Sequence, residues 1–201
     1  MRLIPFLFSL TCFAQQTPTY TFGTTVSSSV GLEGKIYLLN PGTIQLPRFN
    51  PNLAVGSIYT TSLNVPPQSF ERGFPGITNR FEWFAIDYTG RFWIEHPGLY
   101  AFNLLSDDGA KLWINDRLLI DNDGTHPPLA LTASARFSRG AYRLRVAYFQ
   151  GPRHTVALVL SVLTPIEPWR VFRTDDFLPR QRSDEVWAPG KITAIKRAEN
   201  W

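Results

Sequence analysis

Cysteine is all but missing from this chain: among 201 residues the one present, Cys12, lies in the first apolar segment. That excludes a disulfide framework and a cysteine-built zinc cluster. Histidine is scarce too, at positions 96, 126 and 154 only, so a zinc site would have to be assembled from distant loops. No stretch reaches the ~20 apolar residues that a helix needs to cross a bilayer, and no membrane span is predicted. Runs of one charge are absent as well. Twenty basic residues face sixteen acidic ones, the net charge is +4, and only "RQRSDE" and "KITAIKR" near the end are locally basic. Neither interleaves cations with aromatics as single-strand binders do, which argues against nucleic acid as a partner. The chain has no internal repeat and no convincing amphipathic helix. It also lacks Gly-x-Ser-x-Gly, His-Glu-x-x-His and phosphate-loop motifs, so no catalytic residue is assigned.

What is present describes an ordinary globular domain: 44% apolar, 18% charged and 14% aromatic residues, with 16 prolines and 14 glycines scattered between short runs. Many turns between short elements favour an all-β fold. The first residues, "MRLIPFLFSLTCFAQQ", place Arg2 before an apolar region from Leu3 to Phe13 and a small residue, Ala14. This is the layout of a signal peptide over residues 1–14, with a secreted or cell-envelope destination. "SLTC" fits a lipoprotein anchor poorly, and cleavage after Ala14 would leave no cysteine. Residues 15–30 are Thr/Ser-rich and read as a linker or an extended N-terminal strand.

Strand signals then follow in quick succession. Ile36 to Leu39 and Val55 to Leu63 read as strands, with proline-rich loops around them. "RFEWFAIDYTGRFWIEHPGLYAFNLLS" reads as three aromatic-rich strands separated by turns at "YTG" and "HPG". In "AKLWIND", Leu112 and Ile114 alternate against Lys111, Trp113 and Asn115; in "AYRLRVAYFQGP", Tyr142, Leu144, Val146 and Tyr148 alternate against Arg143 and Arg145. Asn115-Asp116 is a tight turn, and "DNDG" at Asp121 to Gly124 fits a type I′ hairpin. At least eight short strands predict an antiparallel β-sandwich or barrel with few or no helices. The domain is set at residues 31–165, followed by an irregular extension over 166–201 with one last strand near Val171.

Asp107 and Asp108 pose the functional question. Neighbouring side chains in a strand point to opposite faces, so adjacent acids before Gly109 are either turn residues, with the glycine at positive φ, or a pair made to converge by unusual backbone. Trp113 faces outward, where it could stack on a sugar ring or be covered by the C-terminal extension.

Taken in order, "GLEGKIYLL", "FEWFAIDYTGRFWIEHPGLYAFNLLSDDGAKLWINDRLLIDNDGTHPP" and "GAYRLRVAYFQGPRHTVALVL" resemble the protective-antigen fourteen-kilodalton (PA-fourteen) domain family over about residues 31 to 165. The resemblance implies a β-sandwich of secreted and cell-surface proteins and, in its adhesin branch, calcium-dependent binding of carbohydrate. It implies a cis peptide bond between Asp107 and Asp108, which would turn both carboxylates to one side as metal ligands. Gln150 stands where the sugar-binding members carry a ligand Asn, and backbone carbonyls from Gly151 to His154 would add further oxygens. Trp113, Asp121, Asn122, His126, Arg153 and His154 are the candidates for the sugar-binding rim, Arg153 and His154 pointing outward because positive charge opposes calcium. Two alternatives stay open. One is a structural or protein-interaction sandwich without metal. The other is a glycoside hydrolase drawing on carboxyls such as Glu82, Asp87, Glu95 and Asp108, none of which sits in a pattern specific for that chemistry. The sequence does not indicate an oligomeric state.

Overall fold

The computed structural model describes residues 31–77, 80, 82–179 and 188–196; the expected signal peptide and the 15–30 linker or strand lie outside them. The described residues form an antiparallel β-sandwich without an α-helix, with three single-turn 3₁₀ helices in the connections. One sheet has the order β2-β1-β4-β9-β6-β7, from β1 (Leu32–Leu38), β2 (Gly56–Thr60), β4 (Phe84–Ile94), β6 (Ala110–Ile114), β7 (Arg117–Asn122) and β9 (Gly140–Gln150). The other has the order β11-β10-β5-β8-β12, from β5 (Gly98–Asp107), β8 (Leu129–Phe137), β10 (Thr155–Leu163), β11 (Arg170–Val171) and β12 (Ile192–Lys196), and β3 (Asn64–Ser69) also pairs with β10. Every ladder between these strands is antiparallel.

Period-2 alternation decides which side chains meet between the sheets. Tyr142, Leu144, Val146 and Tyr148 of β9 are buried, as are Leu112 and Ile114 of β6 and Phe102 and Leu104 of β5. Phe92 of β4 lies amid the rings of Tyr142, Phe172, Phe177, Phe102 and Phe137, with centroids 5.4–6.4 Å away. Edge-to-face packing of this kind adds about 0.5–1.5 kcal/mol per pair beyond area burial. Asn115 and Asp116 both have positive φ, 49° and 63°, as a type I′ turn between β6 and β7 requires.

Four local expectations are corrected. "YTG" does not turn: β4 runs through it, with Thr89 and Gly90 paired to Arg145 and Leu144. Gly90 serves close packing instead, since a Cβ there would lie 2.6 Å from Leu32 Cδ2. "DNDG" is not a hairpin either. It leaves β7 in one sheet and leads to β8 in the other, because Asn122 is buried and anchors the crossing by donating to Ser106 Oγ (2.9 Å) and the Leu129 carbonyl (3.0 Å). A strand forms at Pro66-Pro67, which a proline tolerates because β3 pairs only with β10 and so lies at an edge. Finally, the described part of the supposed extension is built into the sandwich. Phe172 and Phe177 are buried in the core, and β12 pairs with β8 while Ile192 and Ile195 pack on the core's flank.

Candidate functional site

Asp107 closes β5, and the bond joining it to Asp108 is cis. Both acids are out of solvent, 7% and 4% exposed. Asp108 is held from two loops: its Oδ2 accepts from the Gly151 N–H (2.7 Å) and its Oδ1 from the His126 N–H (3.2 Å). Asp107 differs. Its backbone carbonyl accepts from the Tyr148 hydroxyl at 2.8 Å, but its carboxylate has no hydrogen-bond partner among the described residues. The turn reading of Asp-Asp-Gly is not what forms. Gly109 is not among the positive-φ residues; it is there for space, because a Cβ would fall 2.5 Å from the Phe149 ring and 2.8 Å from the Gly124 nitrogen.

Burial first, and then the negative charge of Asp108, push the Asp107 carboxyl up to about 6, against partial relief from His126 and His154. Burial also raises Asp108, offset by the N–H groups of Gly151 and His126. Near neutral pH Asp107 is therefore largely ionised, beside a second acid in a partly dry setting. Such an arrangement attracts a cation.

Gln150 is completely buried, but its amide is turned opposite to the sequence expectation. Oε1 faces the Tyr148 hydroxyl (2.7 Å), while Nε2 lies 3.2 Å from the Pro152 and Thr155 carbonyls and 3.5 Å from Asp108 Oδ2. An amide nitrogen donates and cannot bind a cation, so in this orientation Gln150 is not a metal ligand.

The rim candidates separate. His126 and His154 flank the acids closely enough to lower their affinity for protons. Both ring nitrogens of His126, however, are engaged with backbone carbonyls, Nδ1 with Pro127 (2.9 Å) and Nε2 with Asn122 (3.1 Å). Arg153 and His154 are exposed on the loop after β9, where the Arg153 N–H donates to Glu82 Oε2 at 3.0 Å. Asn122 is no rim residue, being spent on the sheet crossing. Asp121 is drawn away to Lys111 Nζ at 3.2 Å. Trp113 points from the outer face of the first sheet into a separate cleft of about 380 Å3. Over it lies Arg145, whose guanidinium is 4.8 Å from the ring centroid. The carboxyls weighed for hydrolysis are dispersed. Glu82 precedes β4, Glu95 follows its far end and bonds Trp93 Nε1 at 2.9 Å, and Asp87 pairs with Arg145 at 2.7 Å.

Three contributors escaped the sequence reading. Tyr148 was recognised as inward-facing, and its spacing of two from Gln150 on one strand was the available signal that they share a face. Ser106 anchors Asn122 directly before the acid pair. Trp83 has φ 58°, rare for a bulky residue, and lies beside Gly151; no pattern in the sequence marks it.

An antiparallel sandwich with a buried pair of acids at one end is the class this chain falls into. Residues 75–166 match the family model of the PA14 domain. Solved structures with the same fold include an anti-sigma factor domain-containing protein (TM-score 0.58, 17% identity, 78% of this chain and 50% of that one). Others are the PA14 domain of the MpAFP antifreeze protein (0.57, 18%, 73% and 88%) and a PA14 sugar-binding domain from an RTX adhesin (0.52, 14%, 72% and 96%). The chain thus spans half the length of the first of these. No curated protein sequence matches it.

Proposed function

We propose that this domain is an exported carbohydrate-binding module that recognises glycan hydroxyls, with calcium, at Asp107 and Asp108. The observation that carries the reading is the Asp107 carboxylate, buried without a partner beside a second acid. A polar group in that condition costs free energy unless a ligand satisfies it. That the RTX adhesin domain of the same fold is a sugar-binding domain supports the ligand class. Export rests on the layout of residues 1–14 and agrees with the finding that no helix among the described residues is long and apolar enough to cross a membrane.

Asp107 and Asp108 would hold the ion. Calcium takes six to eight oxygen ligands, and when bound it would supply coordination positions that vicinal sugar hydroxyls can fill. Gln150 fits this role after one movement. Turning its amide by 180° puts Oε1 beside Asp108 Oδ2 and the Pro152 and Thr155 carbonyls, the groups that now surround Nε2. Nε2 would then donate to the Tyr148 oxygen, leaving the single hydroxyl proton for the Asp107 carbonyl, whereas now that proton faces two acceptors.

The test is a glycan array run on the full chain with calcium and with chelator, alongside Asp107→Ala. Signal that requires calcium and disappears in the variant is the expected result; signal that survives both chelator and substitution places the sugar site elsewhere. Melting provides the second readout. Calcium should raise Tm, as does any ligand that binds only the native state, and a flat response to millimolar calcium would leave a structural or protein-interaction sandwich as the better reading.

A further inference from the structure

The cleft beneath Trp113 is built differently from the acidic end. The guanidinium of Arg145 lies 4.8 Å from the Trp113 centroid and 5.6 Å from that of Phe49. Nε is committed to Asp87 Oδ1 at 2.7 Å. Two rings and one carboxylate therefore fix the guanidinium while Nη1 and Nη2 have no hydrogen bond among the described residues. A guanidinium so held presents two parallel donors at little entropic cost, the geometry that receives a carboxylate in bidentate fashion. Arg48, exposed, also lines the cleft and has no acidic partner among the described residues. Lys111 also lines the cleft, but Asp121 and Asp123 already neutralise it. The one acid in the lining, Asp123, is engaged further by the N–H groups of Leu46 (2.8 Å) and Gly124 (2.9 Å). What the cleft offers a ligand is thus one cation without an acidic partner, Arg48, and the two open Nη groups of Arg145, whose Nε is paired with Asp87, beside aromatic surface.

We infer that this cleft is a second binding site, which takes the carboxylate of an acidic sugar on Arg145 and Arg48 with the sugar ring against Trp113 and Phe49. Its volume of about 380 Å3 lies within the range of small-ligand sites. The loop between β7 and β8 borders both places, through Asp123 at the cleft and the His126 N–H at Asp108, so one glycan chain could run from one to the other. That the ligand is a saccharide rests on the reading above; that it is anionic rests on the cleft alone.

The experiment titrates the full chain with trigalacturonate and, separately, with maltotriose. Chelator is present throughout, so that calcium contributes nothing at Asp107, and the indole N–H resonance of Trp113 is followed by NMR. Trigalacturonate should shift that resonance and maltotriose should not. Raising salt should weaken the interaction, since the cleft is partly open to screening. Arg145→Gln should weaken it about tenfold or more, and Arg48→Gln, on an exposed loop where folding is not at stake, severalfold. Asp107→Asn should leave it unchanged, which separates failure at the acid pair from failure here. Equal response to the two trimers, or full binding by Arg48→Gln and Arg145→Gln, overturns the proposal.

Discussion

The two ends of the sandwich differ in the polar groups they bury. Around Phe92 the contacts are ring on ring, with Phe102, Phe137, Phe172 and Phe177 closing the space. At the other end Ser106, Asp107, Asp108, Asn122 and Gln150 are all buried, and directed hydrogen bonds are added to the packing of Phe74 and Phe84 on Tyr148. At the polar end the Asp107 carboxylate has no hydrogen-bond partner among the described residues, and that gives it a reason to bind. The lesson is that stability and recognition have been placed apart on one pair of sheets.

Four measurements test that division, in order of expected size. Phe92→Ala should lower stability by about 3–5 kcal/mol, read from the urea midpoint, while the calcium response of whatever remains folded is kept. Loss of the response at unchanged stability would break the contrast. Asn122→Ala orphans the Leu129 carbonyl and frees the loop that brings the His126 N–H to Asp108, so we expect about 1–3 kcal/mol together with weaker calcium binding. Tyr148→Phe removes the donor to Asp107 O and Gln150 Oε1 and should cost about 1 kcal/mol.

The smallest effect concerns pH. Asp107 titrates at about 6 when folded, against 3.8 when exposed. Between those values the native state holds the proton more tightly, so without metal this group's contribution to stability falls as pH rises from about 4 to 6 and is flat above. Calcium should cancel that loss and should itself bind more weakly below pH 6. Melting curves at pH 5 and 7.5, with chelator and with calcium, check both signs. Asp107→Asn should shrink the difference and raise the metal-free Tm. A lower Tm in that variant would mean that Asp107 is structural.

The sandwich was legible in the sequence where a strand alternates cleanly, as in Tyr142 to Tyr148, and where a turn has a mechanism, as at Asn115-Asp116. It was not legible where tertiary context overrode local chemistry. Gly90 resembles a turn residue until Leu32 is seen against it, Pro66 and Pro67 resemble loop until the strand proves to be an edge, and "KITAIK" has no strand bounds until β8 offers a free side. At the candidate site, the resemblance pointed to Asp107, Asp108 and the position of Gln150. The direction of the Gln150 amide was out of reach, because it is set jointly by Tyr148, Pro152 and Thr155. Asn122 and Trp113 were selected for polarity and exposure, yet one crosses between sheets and the other belongs to a different cleft.

The family model ends its match at residue 166, but β11, β12, Phe172 and Phe177 come after it. A polypeptide trimmed at that boundary would keep every acid discussed above and still lose two rings from beside Phe92. It would also leave the outer rim of β8 bare, and an uncapped strand of that kind recruits its counterpart from another molecule. The described part of the tail thus completes both the core and one side of the sheet, a matter quite apart from what the protein recognises.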